Sequence, residues 1–345
     1  MRACHELIGM ADGSAPDDAR WMAAAAALSE RARPLASPNP GVGAIIVKNG
    51  VVIGRGWTQA GGRPHAEAVA LAQAGEAACG ATLYVTLEPC AHRSQRGPAC
   101  ADLTAGAGLA RAVIGMCDPD PRTATLGAGK LRDAGIDTRI LGWPAHMLGL
   151  AGHEVHLSQG RPHVTLKLAM SLDGCIAAAS GESQWITGPA ARAHTHRERA
   201  RADAILVGGG TLRADNPRLD VRLDGLEERS PRRVALTSGD VPEGWTAIRS
   251  PQEIAALEGV RYLMVEGGEQ TASAFLAAGL VDRMLIYRAP ILLGDGLRAI
   301  GDAGRHTLDA AFAGGFALED RRMLGSDTLE VYRPAALERP GMGDS

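Results

Sequence analysis

The stretch Thr82-Leu83-Tyr84-Val85-Thr86-Leu87-Glu88-Pro89-Cys90 decides the fold. Thr82 to Leu87 is apolar and β-branched enough for a buried core strand, and Glu88-Pro89-Cys90 ends it. Upstream, Pro64 opens a helix that runs to about Gly75, with Ala66, Val69, Ala70 and Ala74 on its apolar side. Proline suits a first helical turn, where its missing N–H is no loss. Val42 to Val47 reads as another buried strand, which Gly50 turns back into Val51 to Gly54 as a hairpin. A helix from about Asp18 to Arg31 and a rigid turn of Pro34, Pro38, Asn39 and Pro40 precede it. Downstream, a helix follows Cys100, a strand spans Ala112 to Met116, Cys117 to Pro121 turns, and a further helix ends at Gly135. Strands alternating with helices predict an α/β domain.

Chemistry is written onto the ends of these elements. His65-Ala66-Glu67 starts one helix, Pro89-Cys90 closes a strand, and Cys100 precedes another helix. One imidazole and two thiolates form a borderline-soft set that suits Zn²⁺, and three protein ligands leave a tetrahedral position for water. Structural zinc takes four protein ligands, so the count predicts a catalytic site. Glu67 is not needed as a ligand, and can take a proton from the water and hand it to a leaving amine. Helix N-termini beside both cysteines favour the thiolate form. H-x-E followed by P-C and a second Cys is the zinc-deaminase pattern, with an unusually long gap between the two cysteines here.

The composition changes near Gly160. Val164 to Ala169 reads as a new strand, followed by a polar, Gly-rich loop from Ser171 to Thr187 and a basic helix over about Pro189 to Ala202. Strand Ala204 to Val207 runs into Gly208-Gly209-Gly210, strand Val234 to Thr237 follows, and strand Arg261 to Val265 runs into Gly267-Gly268 and a helix from about Gln270 to Ala278. Backbone N–H groups at such turns can approach phosphate. Neither turn is a dinucleotide fingerprint, because Arg213 stands where the last Gly should be, and no Walker A sequence occurs. The reading is a second α/β domain.

The whole chain bounds these assignments. Its 345 residues suggest two domains, divided at about residues 155–162, as tail 1–16, domains 17–158 and 159–333, and tail 334–345. A net charge of -3 and 3% aromatic residues disfavour a nucleic-acid partner, and no apolar run is long enough for a membrane helix. Without an apolar leader at the N-terminus, the expected location is cytoplasmic. Cys4, Cys79, Cys117 and Cys175 read as inert thiols, and His153, His156, His194 and His196 as surface or capping residues. The Arg192 to Arg201 run reads as a solvated helix face, Arg199 excepted.

Pro38-Asn39-Pro40-Gly41-Val42-Gly43, His65-Ala66-Glu67, Thr86-Leu87-Glu88-Pro89-Cys90-Ala91-His92 and Asp118-Pro119-Asp120-Pro121 together resemble the deaminase half of the RibD family of bifunctional riboflavin biosynthesis proteins. Lys167-Leu168-Ala169-Met170-Ser171-Leu172-Asp173-Gly174, Gly181-Glu182-Ser183-Gln184-Trp185-Ile186-Thr187, Asp215-Asn216-Pro217 and Val265-Glu266-Gly267-Gly268 resemble its reductase half. The resemblance covers about residues 17–333. It implies a cytidine-deaminase-like three-layer α/β/α sandwich followed by a dihydrofolate-reductase-like α/β domain. It implies deamination of a diaminopyrimidinone ribosyl phosphate with one Zn²⁺, then NADPH-dependent reduction of the ribosyl chain to ribityl, in a homodimer or higher homo-oligomer.

By position, the resemblance gives zinc to His65, Cys90 and Cys100, proton transfer to Glu67, and the pyrimidine to Asn39 and His92. It gives NADPH to Ala169, Trp185, Thr211, Asp215 and Ser238, with Gly267 and Gly268 under the phosphates. The second substrate falls to Ser183, Arg199, Leu219, Arg222 and Glu266, and Lys167 joins them as a substrate contact. Lys167 and Asp215 are the candidate proton donors of the reductase step. The family's usual loop, His-x-Gly-Arg-Thr-Pro-Pro-Cys, is one residue longer in this chain, running from His92 to Cys100 without Gly-Arg-Thr in register. Arg96 is the expected replacement for the family's Arg as a phosphate contact. Two other readings compete. A nucleic-acid-editing deaminase predicts a basic, aromatic-lined face, and a zinc-stabilised scaffold predicts a fourth protein ligand, for which His92 is the candidate.

Overall fold

The computed structural model describes residues 17–92, 97–120, 124–142 and 147–337, and divides into two units between Gly160 and Arg161. The first unit runs α1 (Asp18–Ser29), β1 (Gly43–Lys48), β2 (Val51–Trp57), α2 (Ala66–Ala74), β3 (Thr82–Leu87), α3 (Cys100–Gly106), β4 (Arg111–Met116), α4 (Leu126–Asp133), β5 (Asp137–Ile140) and α5 (Leu148–Gln159). Its sheet has the order β2-β1-β3-β4-β5. The hairpin and the β1–β3 pair are antiparallel, and β3, β4 and β5 are parallel.

Strand alternation explains why this sheet is covered twice. Ala44, Ile46, Leu83, Val85 and Ile114 turn to one face and pack with Ala66 and Ala70 of α2 and Leu131 of α4. Ile45, Val47, Tyr84 and Val113 turn to the other and pack with Met22 and Ala25 of α1. Helix α1 lies so close to β1 that a Cβ on Gly43 would stand 2.0 Å from the Ala25 carbonyl oxygen. Buried Asp18 ties α1 to the sheet: Arg111 donates to both its oxygens at 2.8 Å, and the Tyr84 hydroxyl donates at 3.0 Å. Two details differ from the sequence reading. The backbone of His65 is extended, so helix α2 starts after it and Pro64 lies outside the first turn. Strand β5 and helix α5 also emerge beyond Gly135.

The second unit comprises β6 (His163–Met170), β7 (Cys175–Ala177), α6 (Pro189–Arg199), β8 (Ala204–Gly208), α7 (Gly209–Asp215), β9 (Arg232–Leu236), β10 (Trp245–Ile248), β11 (Tyr262–Val265), α8 (Glu269–Ala277), β12 (Arg283–Arg288), β13 (Leu297–Arg298), α9 (Leu308–Ala313), β14 (Phe316–Leu324) and β15 (Asp327–Pro334). One sheet, ordered β10-β9-β8-β11-β6-β12-β15-β14, is parallel from β10 to β12 and antiparallel at β15 and β14. The segment Ser171 to Thr187, expected to be loop, contains β7, which pairs with β13. Strand β6 is central, buried among Leu206, Leu263, Phe275 and Met284, so whatever its C-terminal half presents is held rigidly.

Some histidines and cysteines also sit differently from expectation. His194 is 6% exposed, not a surface or capping residue, because its Nδ1 meets the Tyr287 hydroxyl of β12 at 2.7 Å. Its Nε2 is buried with no hydrogen-bond partner, and burial, reinforced by Arg197, Arg322 and Arg283 against the pull of Glu198, pushes its pKa down to about 4. Because the folded value lies below the unfolded one, stability is lost as pH falls through the unfolded pKa. Acidifying from about pH 7 to about pH 5 costs about 2 kcal/mol through this group alone. Urea unfolding of His194→Gln at the two pH values should show that much less acid destabilisation than the unaltered chain. An unchanged pH dependence would remove His194 as its cause. Cys79 and Cys175 are free, Cys117 is buried, and Cys4 lies outside the described residues.

Candidate active sites

In the first unit, the ends of β3, α2 and α3 converge. His65 Nδ1 stands 3.6 Å from Cys90 Sγ and 3.3 Å from Cys100 Sγ, and the three ligand atoms lie within 4.8 Å of one another. The first amide of α3, Cys100 N–H, donates to Cys90 Sγ at 3.3 Å, which is how a helix N-terminus stabilises a thiolate. The hydrogen bond from Cys100, against the effect of burial and with help from His65, holds the Cys90 thiol down at about 4. Cys100 moves upward in turn, because Cys90 and burial both oppose a second negative charge.

Glu67 is 3% exposed and lies in the first turn of α2. Its Oε2 is buried without a hydrogen-bond partner. Burial pushes its pKa up to about 7, with its own backbone N–H and His65 pulling the other way and Cys90 adding to the rise. A buried carboxyl with one unpartnered oxygen beside three convergent soft ligands fits a zinc ion with its water. His92 is exposed and stands outside the ligand cluster, so the described residues offer no fourth protein ligand at this point.

A cavity of about 410 Å³ lies over these groups, lined by His65, Glu67, Cys90, Asn39 and His92 among others. Asn39 Nδ2 donates to the Gly62 carbonyl at 3.1 Å, which fixes its orientation. Arg63 and Thr58, to which the sequence reading assigns no role, line the same cavity; His153, read from sequence as a surface or capping residue, lines it too, carried there by helix α5. Arg96 lies outside the described residues.

In the second unit, a cavity of about 410 Å³ collects Lys167, Ala169, Ser183, Trp185, Arg199, Thr211, Asp215, Arg222, Glu266, Gly267 and Gly268. Ser238 lies in an adjoining cavity of about 560 Å³, which shares Gly210, Thr211 and Gly268 with the first. Leu219 is buried in a packed cluster with Ile205 and Val207, at φ +52°, and lines neither cavity. Helices α7 and α8 both begin in the adjoining cavity, with Gly208 and Gly268 as N-caps that offer no side-chain acceptor. Their free N–H groups suit a phosphate group. A Cβ on Gly267 would stand 2.5 Å from Thr271 Cβ, so only glycine admits this close turn. The arrangement fits the phosphates of a dinucleotide.

At the heart of the first of these cavities, Arg199 grips Glu266 with a fork at 2.6 and 3.0 Å, and Lys167 Nζ stands 3.7 Å from the same carboxylate. Against burial, which would raise it, Arg199 and Lys167 hold Glu266 down at about 2. Burial lowers the pKa of Lys167, with Glu266 opposing and Arg199 adding to the drop. Arg199 is therefore already paired to a protein carboxylate, while the ion pair of exposed Arg222 among the described residues is a longer one, to Asp220 at 3.5 Å. His196 and Arg192 line the cavity as well, and Arg192 lies 4.8 Å over the Trp185 ring. Residues 192, 196 and 199 share one helix face, so this part of the basic run faces a cavity rather than bulk solvent.

Comparison with known proteins agrees with both halves. Residues 15–116 match the cytidine and deoxycytidylate deaminase zinc-binding region, and residues 162–323 match the RibD C-terminal domain. The chain is 36% identical to the riboflavin biosynthesis protein RibD of Aquifex aeolicus over 85% of its length and 92% of that protein's. Against the Escherichia coli RibD it is 39% identical over 82% and 90%. Among solved structures, Acinetobacter baumannii RibD covers 92% of this chain and 99% of its own, with TM-score 0.76 and 36% identity. A Thermotoga maritima protein described as a diaminohydroxyphosphoribosylaminopyrimidine deaminase and 5-amino-6-(5-phosphoribosylamino)uracil reductase gives TM-score 0.78 at 29% identity, over the same shares. With both halves present in one chain and in that order, the chain belongs to the RibD family of bifunctional riboflavin biosynthesis proteins.

Proposed function

We propose that this chain deaminates a 2,5-diamino-6-ribosylamino-4(3H)-pyrimidinone 5′-phosphate in its first unit and reduces the ribosyl side chain of the product in its second. The family is a zinc-dependent deaminase joined to an NADPH-dependent reductase. The observation that carries the reading is the buried, unpartnered Oε2 of Glu67 beside the His65, Cys90 and Cys100 ligand set. When bound, zinc supplies a water acidic enough to lose a proton near neutral pH. Glu67 takes that proton and delivers it to the departing ring amine. Asn39 and His92 orient the pyrimidine from the cavity wall.

In the second unit, NADPH, when bound, supplies the hydride that adds to C1 of the ribosyl chain. The protein's own tasks are to hold the substrate and move one proton. Arg222 is the exposed guanidinium available to the phosphate, and the N-termini of α7 and α8 cradle the dinucleotide. Lys167 donates a proton to the ribosyl ring oxygen as the C1–O bond opens; the nitrogen lone pair forms the C=N bond that is then reduced. One hydride and one proton are consumed, and the ring oxygen leaves as a hydroxyl. Homo-oligomeric assembly, which rests on the resemblance, and a cytoplasmic setting belong to the same proposal.

A paired assay tests it. Zinc-loaded protein receives the substrate with and without NADPH, and ammonia and NADPH oxidation are followed separately. Ammonia without NADPH, and oxidation only after deamination, is the expected result. Oxidation with no ammonia would reverse or break the proposed order.

A further inference from the structure

The cavity over His65 and Glu67 has one guanidinium or ammonium group among its described lining residues, that of Arg63. Arg63 is half-buried and lies on the segment that leads through Pro64 into helix α2. Its Nη1 lies 3.3 Å from the position a Cβ would take on Gly97, so the guanidinium reaches across to the loop that ends in Cys100. Gly97 has φ +139° and leaves the space that Arg63 occupies. Arg63 has no ion-pair partner among the described residues.

None of the four carboxylates that share the cavity, Glu67, Glu88, Asp118 and Asp120, forms an ion pair with Arg63. Glu88 is filled by backbone N–H groups of Asp118, Thr125 and Ala128 at 3.2, 2.9 and 2.9 Å. Asp118 accepts the N–H of Asp120 at 3.0 Å. Glu67 faces the ligand cluster on α2. A substrate carrying a phosphate dianion needs a cation away from the reacting ring, and a guanidinium fork suits a phosphate better than a point charge does. The Cys90 to Cys100 loop lacks the family's Gly-Arg-Thr in register, its own Arg96 lies outside the described residues, and Arg63 offers a cation from another segment.

We infer that Arg63 holds the 5′-phosphate of the ribosyl substrate during deamination, and so sets the preference for phosphorylated over dephosphorylated substrate in that half. The inference rests on the deaminase reading above. The test is the ratio of kcat/KM for ammonia release from the phosphorylated substrate to that from its dephosphorylated form, using the full zinc-loaded chain. Because it is a ratio, the fraction of folded protein cancels. Arg63→Gln should lower it by about 10- to 100-fold, the weight of one charge-assisted phosphate contact. Arg63→Lys, which keeps the charge, should retain more of the preference than the Gln variant. A ratio within about twofold of the unaltered chain's, or equal losses in the two variants, would overturn the role of Arg63 and leave the deaminase reading standing. No ammonia from either substrate with the unaltered chain would instead bring down the deaminase reading, and the inference with it.

Discussion

Glu67→Gln should release ammonia about 10²- to 10⁴-fold more slowly than the unaltered chain, with zinc content and NADPH oxidation on pre-deaminated substrate unchanged. The expectation follows from where the carboxyl sits. Its Oε2 is buried without a hydrogen-bond partner, 3% exposed, and burial brings its pKa to about 7. A proton shuttle works best with a pKa near the working pH, because it must both accept and release. Glutamine keeps the volume and the polar head, so the helix and the ligand cluster should survive. It cannot accept a proton from the attacking water. If the variant kept more than about a tenth of the rate, the proton path would have to run elsewhere. If it lost zinc as well, Glu67 would be supporting the ligands rather than moving protons. Ammonia and metal analysis of the same preparation separate the two cases.

The metal cluster was legible because each of its members stands at the end of a strongly patterned element. Thr82 to Leu87 is an uninterrupted core strand, and His65, Cys90 and Cys100 follow from where elements stop and start. The residues that complete the sites were harder to read. Helix α5, which brings His153 to the deaminase cavity, carries glycines at 149 and 152 and has little amphipathic pattern to announce it. Strand β14 buries no residue fully, so its sequence does not alternate as a half-buried strand should. His194 is buried by a tyrosine on a strand far along the chain, a long-range contact that local pattern cannot reveal. The face formed by Arg192, His196 and Arg199 could have been found by helical spacing, but spacing alone does not say whether a charged face meets water or a cavity. Nor does it show that Arg199 spends its fork on Glu266 before any substrate arrives.

That buried pair sets up the second large effect. Lys167→Met should lower NADPH oxidation on the deaminated substrate by about 10²- to 10⁴-fold while ammonia release stays at the level of the unaltered chain. Lys167 projects from the rigid central strand β6 into the cavity, with its Nζ 3.7 Å from Glu266 and 6.0 Å from the centre of the Tyr287 ring. Burial lowers its pKa below that of a solvated lysine, which makes the ammonium a better proton donor than its type suggests. Removing it leaves Glu266 held by Nε and Nη2 of Arg199, so no buried carboxylate is stranded and the fold should hold. Glu266→Gln would not be a clean test, since it strands two cations at once. The decisive comparison is Lys167→Arg. If Lys167 only balances the charge of Glu266, arginine restores activity, because it carries the same charge. If Lys167 delivers the proton to the ribosyl ring oxygen, arginine fails, because a guanidinium does not give up a proton in this pH range. Rapid mixing under single-turnover conditions, with NADPH bound first, places the loss in the chemical step rather than in binding. A Lys167→Arg variant at full speed would therefore exclude Lys167 as the acid and leave that role to be sought among the other groups of the cavity, Asp215 first.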